Sequence, residues 1–275
     1  MQSFLITLGD GTVRVSGFEK VECLGRFLRS FEPLPKGNAS VDCDIEITVY
    51  DNQFQCVRDD NESPYYVADT AGDFLLLFER TLLNLYLEYL PPRSLVFHGS
   101  GFYDEGTLIG LLGEANAGKT TAAAEMIHED WSFVSDELLA IDFTSNTLYP
   151  FPRPMNFSED PESQKLEVLR VEDNQHNSFF YGLPERDDVQ SDPTSVDECY
   201  LYNLVRDGTS PPSVEPLQRG DSFLGLSEYV LKPWNSSKTF NRLSGYLDES
   251  VHHHRLRYAD SSELLQLSLA DNEIQ

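Results

Sequence analysis

Basic residues are scarce in this chain. Its 275 residues hold 20 Lys and Arg against 46 Asp and Glu, a formal net charge of -26. That balance argues against a nucleic-acid or anionic-membrane partner, because both carry negative charge. The excess is spread along the chain with no acidic tail, as on a solvated surface. Cysteine is also sparse: Cys23, Cys43, Cys56 and Cys199 show no CxxC spacing, so neither a zinc site nor a redox pair is expected. The start of the chain lacks a basic segment and a cleavage site, so no secretory signal is expected. The most apolar stretch, 74–90, carries Glu79, Arg80 and Glu88 and is too short and too charged to span a bilayer. These absences predict a cytoplasmic protein with reduced thiols. What remains, 40% apolar and 12% aromatic residues, suffices for a buried core.

The distribution of the few cations is informative. Between Ser94 and Pro152 nine carboxylates face a single Lys or Arg, and that residue is Lys119.

Alternation of Ile45, Ile47 and Val49 predicts a strand over 44–50. A turn at Asp51-Asn52 and a return strand over 53–57 make this a small N-terminal antiparallel β region within residues 1–70. Leu75, Leu76, Leu82, Leu83, Tyr86, Leu87 and Leu90 recur at helical spacing, so 73–90 is expected to be a helix that Pro91-Pro92 ends. Apolar runs at 94–98 and 107–112 read as buried strands, 118–129 as a second helix, and 132–134 and 138–141 as strands. A hairpin at Ser145-Asn146 leads into 147–151. From 152 to 194 the chain turns polar, with 185–193 expected to be a surface loop. Residues 199–205 and 256–258 read as strands, and 238–247 and 261–270 as helices.

Gly113-Glu114-Ala115-Asn116-Ala117-Gly118-Lys119-Thr120 matches GxxxxGK[ST] between an expected strand and an expected helix. Glycines let such a loop turn its backbone N–H groups around phosphate oxygens, and the helix N-terminus adds partial positive charge. Lys119 can neutralise the β/γ-phosphates and the Thr120 hydroxyl can ligate Mg²⁺. ATP brings about four further negative charges to a region with one cation, so strict Mg²⁺ dependence is expected.

Asp136 and Glu137 follow the strand at 132–134. Asp136 can hold the metal, directly or through water, or accept the proton of an attacking hydroxyl; Glu137 can take whichever role is left. A turn between two strands would equally place an Asp here. His98, in His98-Gly99-Ser100-Gly101, closes the strand before the loop strand, where a His is often structural. His252-His253-His254 reads as a surface or edge-strand feature, because adjacent strand residues diverge and cannot share one ion.

Together these residues resemble the catalytic domain of the HPr kinase/phosphorylase family and its stand-alone HPr-kinase-like members. The likeness is carried by Phe97-His98-Gly99, the loop, Val134-Ser135-Asp136-Glu137 and the later Pro150-Phe151-Pro152-Arg153-Pro154, and extends over about residues 75–270. It implies an α/β P-loop kinase of the HPr kinase/PEP carboxykinase-like type, with a mixed sheet flanked by helices, over residues 71–275. It implies Asp136 as base toward the acceptor hydroxyl, metal ligation by Thr120 and Glu137, His98 near the transferred phosphate, and Arg153 as a phosphate-facing cation. Thr120-Thr121 stands where the bifunctional enzymes have Ser-Glu, with Thr121 still within the expected nucleotide contacts. The glycine-rich segment tied to phosphorylase activity has no counterpart, so reversal is not expected. The resemblance therefore points to the stand-alone kinases, some of which accompany peptide-modification operons, lasso-peptide operons among them. The expectation is an ATP- and Mg²⁺-dependent kinase acting on a serine-type hydroxyl of a peptide, a small protein or a small molecule. A nucleotide-binding regulatory or scaffold protein is the competing class. The acidity favours a neutral or basic peptide as acceptor, and a homo-oligomer is allowed.

Overall fold

In the computed structural model, the described residues are 3–31, 40–59, 63–127, 131–157, 159–161, 166–190, 192–231, 241, 243–245, 247 and 251–260. The expected helix at 261–270 lies outside them, as does half of the one at 238–247. The chain divides into two compact units, Met1–Pro92 with Tyr149–Pro193, and Arg93–Leu148 with Thr194–Gln275. This partition differs from a cut at residue 70, because the long Leu-rich helix and the polar stretch after residue 149 belong with the N-terminal strands.

The first unit holds a five-stranded sheet, β1 (Ser3–Leu8), β2 (Gly11–Ser16), β3 (Cys43–Tyr50), β4 (Gln53–Arg58) and β5 (Tyr66–Ala68), in sequence order. The β3–β4 hairpin forms as the alternation predicts, with Asp51 and Asn52 both at positive φ (51° and 61°) in its two-residue turn. The sheet is not purely antiparallel, however. Strands β2 and β3 run parallel, joined by a crossover that includes α1 (Glu22–Leu28). Helix α2 (Ala71–Tyr89) starts at Thr70, whose hydroxyl accepts from the Asp73 amide at 3.0 Å and donates to the Asp73 carboxylate at 2.6 Å. Its apolar face buries Phe74, Leu75, Phe78, Leu82, Leu85 and Tyr86.

The polar stretch after Pro152 contains strands that its composition hides. In the second unit the sheet strands β6 to β10 are Leu95–Asp104, Thr107–Leu112, Ser132–Ser135, Leu138–Asp142 and Thr147–Tyr149. Next in the chain, β11 (Met155–Phe157), β12 (Glu167–Glu172) and β13 (Ser178–Leu183) form a three-stranded antiparallel sheet of the first unit. Phe27 meets Tyr181 edge-on at 5.8 Å, and Tyr86 meets Phe151 at 4.6 Å, so aromatics fill this unit's interior.

The second unit is completed by β14 (Thr194–Ser195), β15 (Glu198–Arg206), β16 (Ser213–Pro216) and β17 (Val251–Tyr258). The strand order is β14-β10-β9-β6-β7-β15-β17-β16, with β8 also paired to β6. Strands β7, β15 and β17 run parallel; β6 is antiparallel to β7, β8 and β9. Helices α3 (Lys119–Met126) and α4 (Arg219–Tyr229) pack against β6. A mixed sheet flanked by helices is therefore observed. Its core gathers Phe97, Leu112, Val134, Leu139, Leu201 and Leu226.

The triple histidine corrects the sequence expectation. Strand β17 lies between β15 and β16, so it is not an edge, and His253 and His254 are 4% and 3% exposed. Flat imidazoles stack on the tyrosines of β15: His252 on Tyr200 at 4.8 Å and His254 on Tyr202 at 5.3 Å. Among the described residues, neither ring nitrogen of His253 has a hydrogen-bond partner.

Candidate phosphate-binding site

The loop 113–118 connects β7 to α3, as the strand–loop–helix pattern requires. Gly118 sits at φ 81° and Asn116 at φ 64°, a left-handed conformation that Gly and Asn tolerate best. Gly113 is needed for a different reason: a Cβ there would lie 3.0 Å from Ala117 Cβ and 3.2 Å from Leu204 Cβ. The Ala117 amide donates to the Glu114 carbonyl at 3.2 Å, closing the turn, and Ala122 N to Gly118 O at 2.9 Å begins the helix. Tyr258, at the end of β17, donates its hydroxyl to the Ala117 carbonyl and braces the loop from outside.

Lys119 folds back over the loop. Its ammonium donates to the carbonyls of Gly113 (2.8 Å) and Glu114 (3.0 Å). Burial pushes its pKa down, against the opposing pull of Asp136 and Glu137. Thr120, one residue on, donates to Asp136 Oδ2 at 3.0 Å. Asp136 is 5% exposed and follows directly on β8. Its other oxygen, Oδ1, accepts from Ser100 of β6 at 2.7 Å. One carboxylate thus links the helix start, β6 and the end of β8.

Glu137 acts on the Lys119 charge and also meets His98. Its carboxylate lies 3.5 Å from His98 Nδ1, and both side chains are partly exposed. Its backbone carbonyl accepts from the Gly99 amide at 3.1 Å. The Ser135 hydroxyl accepts from the amides of Glu137 (3.2 Å) and Leu138 (3.0 Å) and fixes the turn that separates the two acids. Lys119, Thr120, Asp136, Glu137 and His98 therefore gather around one end of the sheet. Arg153 belongs to the other unit, where its Nη1 lies 2.5 Å from Glu79 Oε1. Tyr181 donates to the second oxygen of Glu79 at 2.9 Å.

Sequence reasoning assigned no role to Ser100 or Tyr258. Ser100 had a signal: it shares strand parity with His98 and so the same face of β6. Tyr258 had none, because its contact with Ala117 spans 141 residues.

The oxygens of Thr120 and Asp136 suit a hard divalent cation that takes one or two protein oxygens and completes its shell with phosphate and water. Among the described residues no group of three or more His, Cys, Asp or Glu is placed to hold a metal alone. No helix among the described residues is long and apolar enough to cross a membrane.

No protein-family model matches the chain, and no curated protein matches it. Among solved structures, the Hpr(Ser) kinase/phosphatase from Coxiella burnetii aligns over 62% of this chain and 85% of its own, at 13% identity and a TM-score of 0.33. That likeness is slight, and the functional reading rests on the geometry above.

Proposed function

We propose that the protein is a nucleotide-dependent kinase that binds ATP with Mg²⁺ on the loop 113–120 and transfers the γ-phosphoryl group to a serine-type hydroxyl. The observation that carries this reading is the Thr120–Asp136 contact of 3.0 Å beside the buried Lys119. A loop that bound phosphate only to hold it would have no need of an acid fixed at the first turn of its helix. Backbone amides of 114–120 would surround the phosphates, and Lys119 would exchange its loop carbonyls for β/γ oxygens. Thr120 and Asp136 would hold Mg²⁺, with Glu137 close enough in sequence to assist. When bound, the ion supplies charge neutralisation that one lysine cannot.

As the acceptor oxygen bonds to phosphorus, the bond to the β,γ-bridging oxygen breaks and ADP leaves. The acceptor proton passes to the acid pair Asp136–Glu137, with His98 beside Glu137. Arg153 meets Glu79 within the first unit and takes no part in this proposal. The acceptor we favour is a neutral or basic peptide or small protein, because acids dominate the chain.

The test is ATP consumption and phosphate incorporation with and without hydroxyl-bearing peptides. Lys119→Ala and Asp136→Asn are each expected to lower transfer by at least about 100-fold. Glu137→Gln separates the acids: activity near wild type leaves the proton with Asp136. Normal turnover in Lys119→Ala would remove the site from the reaction altogether.

A further inference from the structure

Polyphosphate on this loop would meet a local shortage of positive charge. Nine carboxylates and one lysine make up the charge of 94–152, and that lysine already contacts two loop carbonyls. Any further side-chain cation lies outside this stretch.

Strand β15 runs parallel to β7 and directly beside it, so its carboxyl end opens where the loop begins. Leu204 of β15 borders Gly113: a Cβ on that glycine would meet Leu204 Cβ at 3.2 Å. Two residues on, at the strand's last position, stands Arg206, which shares Leu204's face by alternation. Its cross-strand partner on β17 is Tyr258, the residue whose hydroxyl bonds the Ala117 carbonyl. The Arg206 charge acts on that hydroxyl and pulls its pKa down, against the larger upward push of burial. The guanidinium therefore lies within electrostatic reach of the loop's outer wall.

Arg206 also has no ion pair among the described residues. It is exposed, and its Nε donates to the Ala259 carbonyl at 3.2 Å. Arg257, a near neighbour on β17, differs: Asp207 holds it at 2.5 Å, with Glu215 at 3.8 Å. Arg29 and Arg93 are likewise exposed and without a carboxylate partner among the described residues, so what singles out Arg206 is its place beside the loop 113–120.

We infer that Arg206 is a phosphate ligand of the nucleotide, reaching from the end of β15 to the polyphosphate on the loop 113–120. This rests on the nucleotide reading of the loop. It assigns to Arg206 the cationic role that the sequence suggested for Arg153. The guanidinium fork would discriminate nucleotides by phosphate charge, since planar donors bind phosphate in pairs.

The test is equilibrium binding of ATP, ADP and adenosine, at fixed Mg²⁺, to the full chain and to R206A, R206K and R93A. Arg93, exposed and in the same unit, controls for the general effect of losing a charge. The expected result is ATP affinity at least about tenfold weaker in R206A, a smaller loss for ADP, no change for adenosine, and an intermediate value for R206K. R93A should match wild type. An R206A protein that binds ATP like wild type, or loses adenosine as much as ATP, would overturn the assignment while leaving the loop's role intact. A wild-type chain that binds no nucleotide would overturn both. If R206A does not fold, R206Q keeps the side-chain bulk and is read in the same way.

Discussion

Asp136 is the residue on which the site turns, and its surroundings show how a buried carboxylate is held in one orientation. Two hydroxyls from two elements donate to its two oxygens, Ser100 at 2.7 Å and Thr120 at 3.0 Å. A rotamer change would leave both without an acceptor. Ser100→Ala is expected to cost about 1–3 kcal/mol, measured by denaturant unfolding, because it removes a donor from a buried charge. Ser100→Thr, which keeps the hydroxyl, should recover part of that. Equal stability of all three proteins would mean that the contact carries no weight. Residue type and spacing made Lys119, Thr120 and Asp136 candidates in the sequence because phosphate chemistry constrains both, and the structure brings the three side chains together. Ser100 was harder to read, since a serine on a buried strand is explained only by what faces it.

Among the elements, legibility followed how far the pattern was local. The β3–β4 hairpin and α2 were readable because their period and turn residues lie within one short window. Helix α4 was not. Its sequence contains Gly220 and Gly225, and it buries only Ser222 and Leu226. Gly225 is there for packing: a Cβ would lie 2.8 Å from Asn203 Nδ2 and 3.2 Å from His253 Cε1. Helix propensity was given up for close approach to the sheet. Strands β11 to β13 were missed because the acids of their loops and exposed faces dominate the local composition. Strand β17 was read too short because three histidines look polar until Tyr200 and Tyr202 cover them. The start of α2 makes a similar demand on glycine: a Cβ on Gly72 would lie 1.9 Å from the Glu172 carbonyl oxygen of β12. Gly72→Ala should therefore destabilise the first unit by about 3 kcal/mol, measurable as a lowered midpoint of thermal or denaturant unfolding. Gly220→Ala, with open space around it, should be neutral or mildly stabilising. A Gly72→Ala protein as stable as wild type would refute the close packing of α2 on β12.

At the scale of the whole molecule, acidity is shared. The first unit holds 25 acids and 11 bases, net -14; the second holds 21 and 9, net -12. Its acid sensitivity nevertheless has a specific contributor in His253. Burial, with His254 and Arg255 nearby, pushes this imidazole down to about 4 from an ordinary 6.5. The unfolded chain then binds more protons than the folded one between those values, so stability falls as pH drops from about 6.5 to 4 and is constant in this respect above. The loss should reach about 3 kcal/mol. His253→Leu should flatten this limb in unfolding curves taken across pH, and an unchanged slope would place the sensitivity elsewhere.

The division of the chain also governs how it can be made. Each unit is assembled from two separated stretches, with boundaries after Pro92, Leu148 and Pro193. During synthesis the loop 113–120 and Asp136-Glu137 emerge well before β15 and β17, the strands that flank and brace the loop. A ribosome paused after Leu148 would hold a chain in which neither unit is complete. Any dissection of the protein into expressible pieces must respect this order: a fragment ending near residue 148 would carry the whole phosphate-loop motif and lack the parallel neighbours of β7.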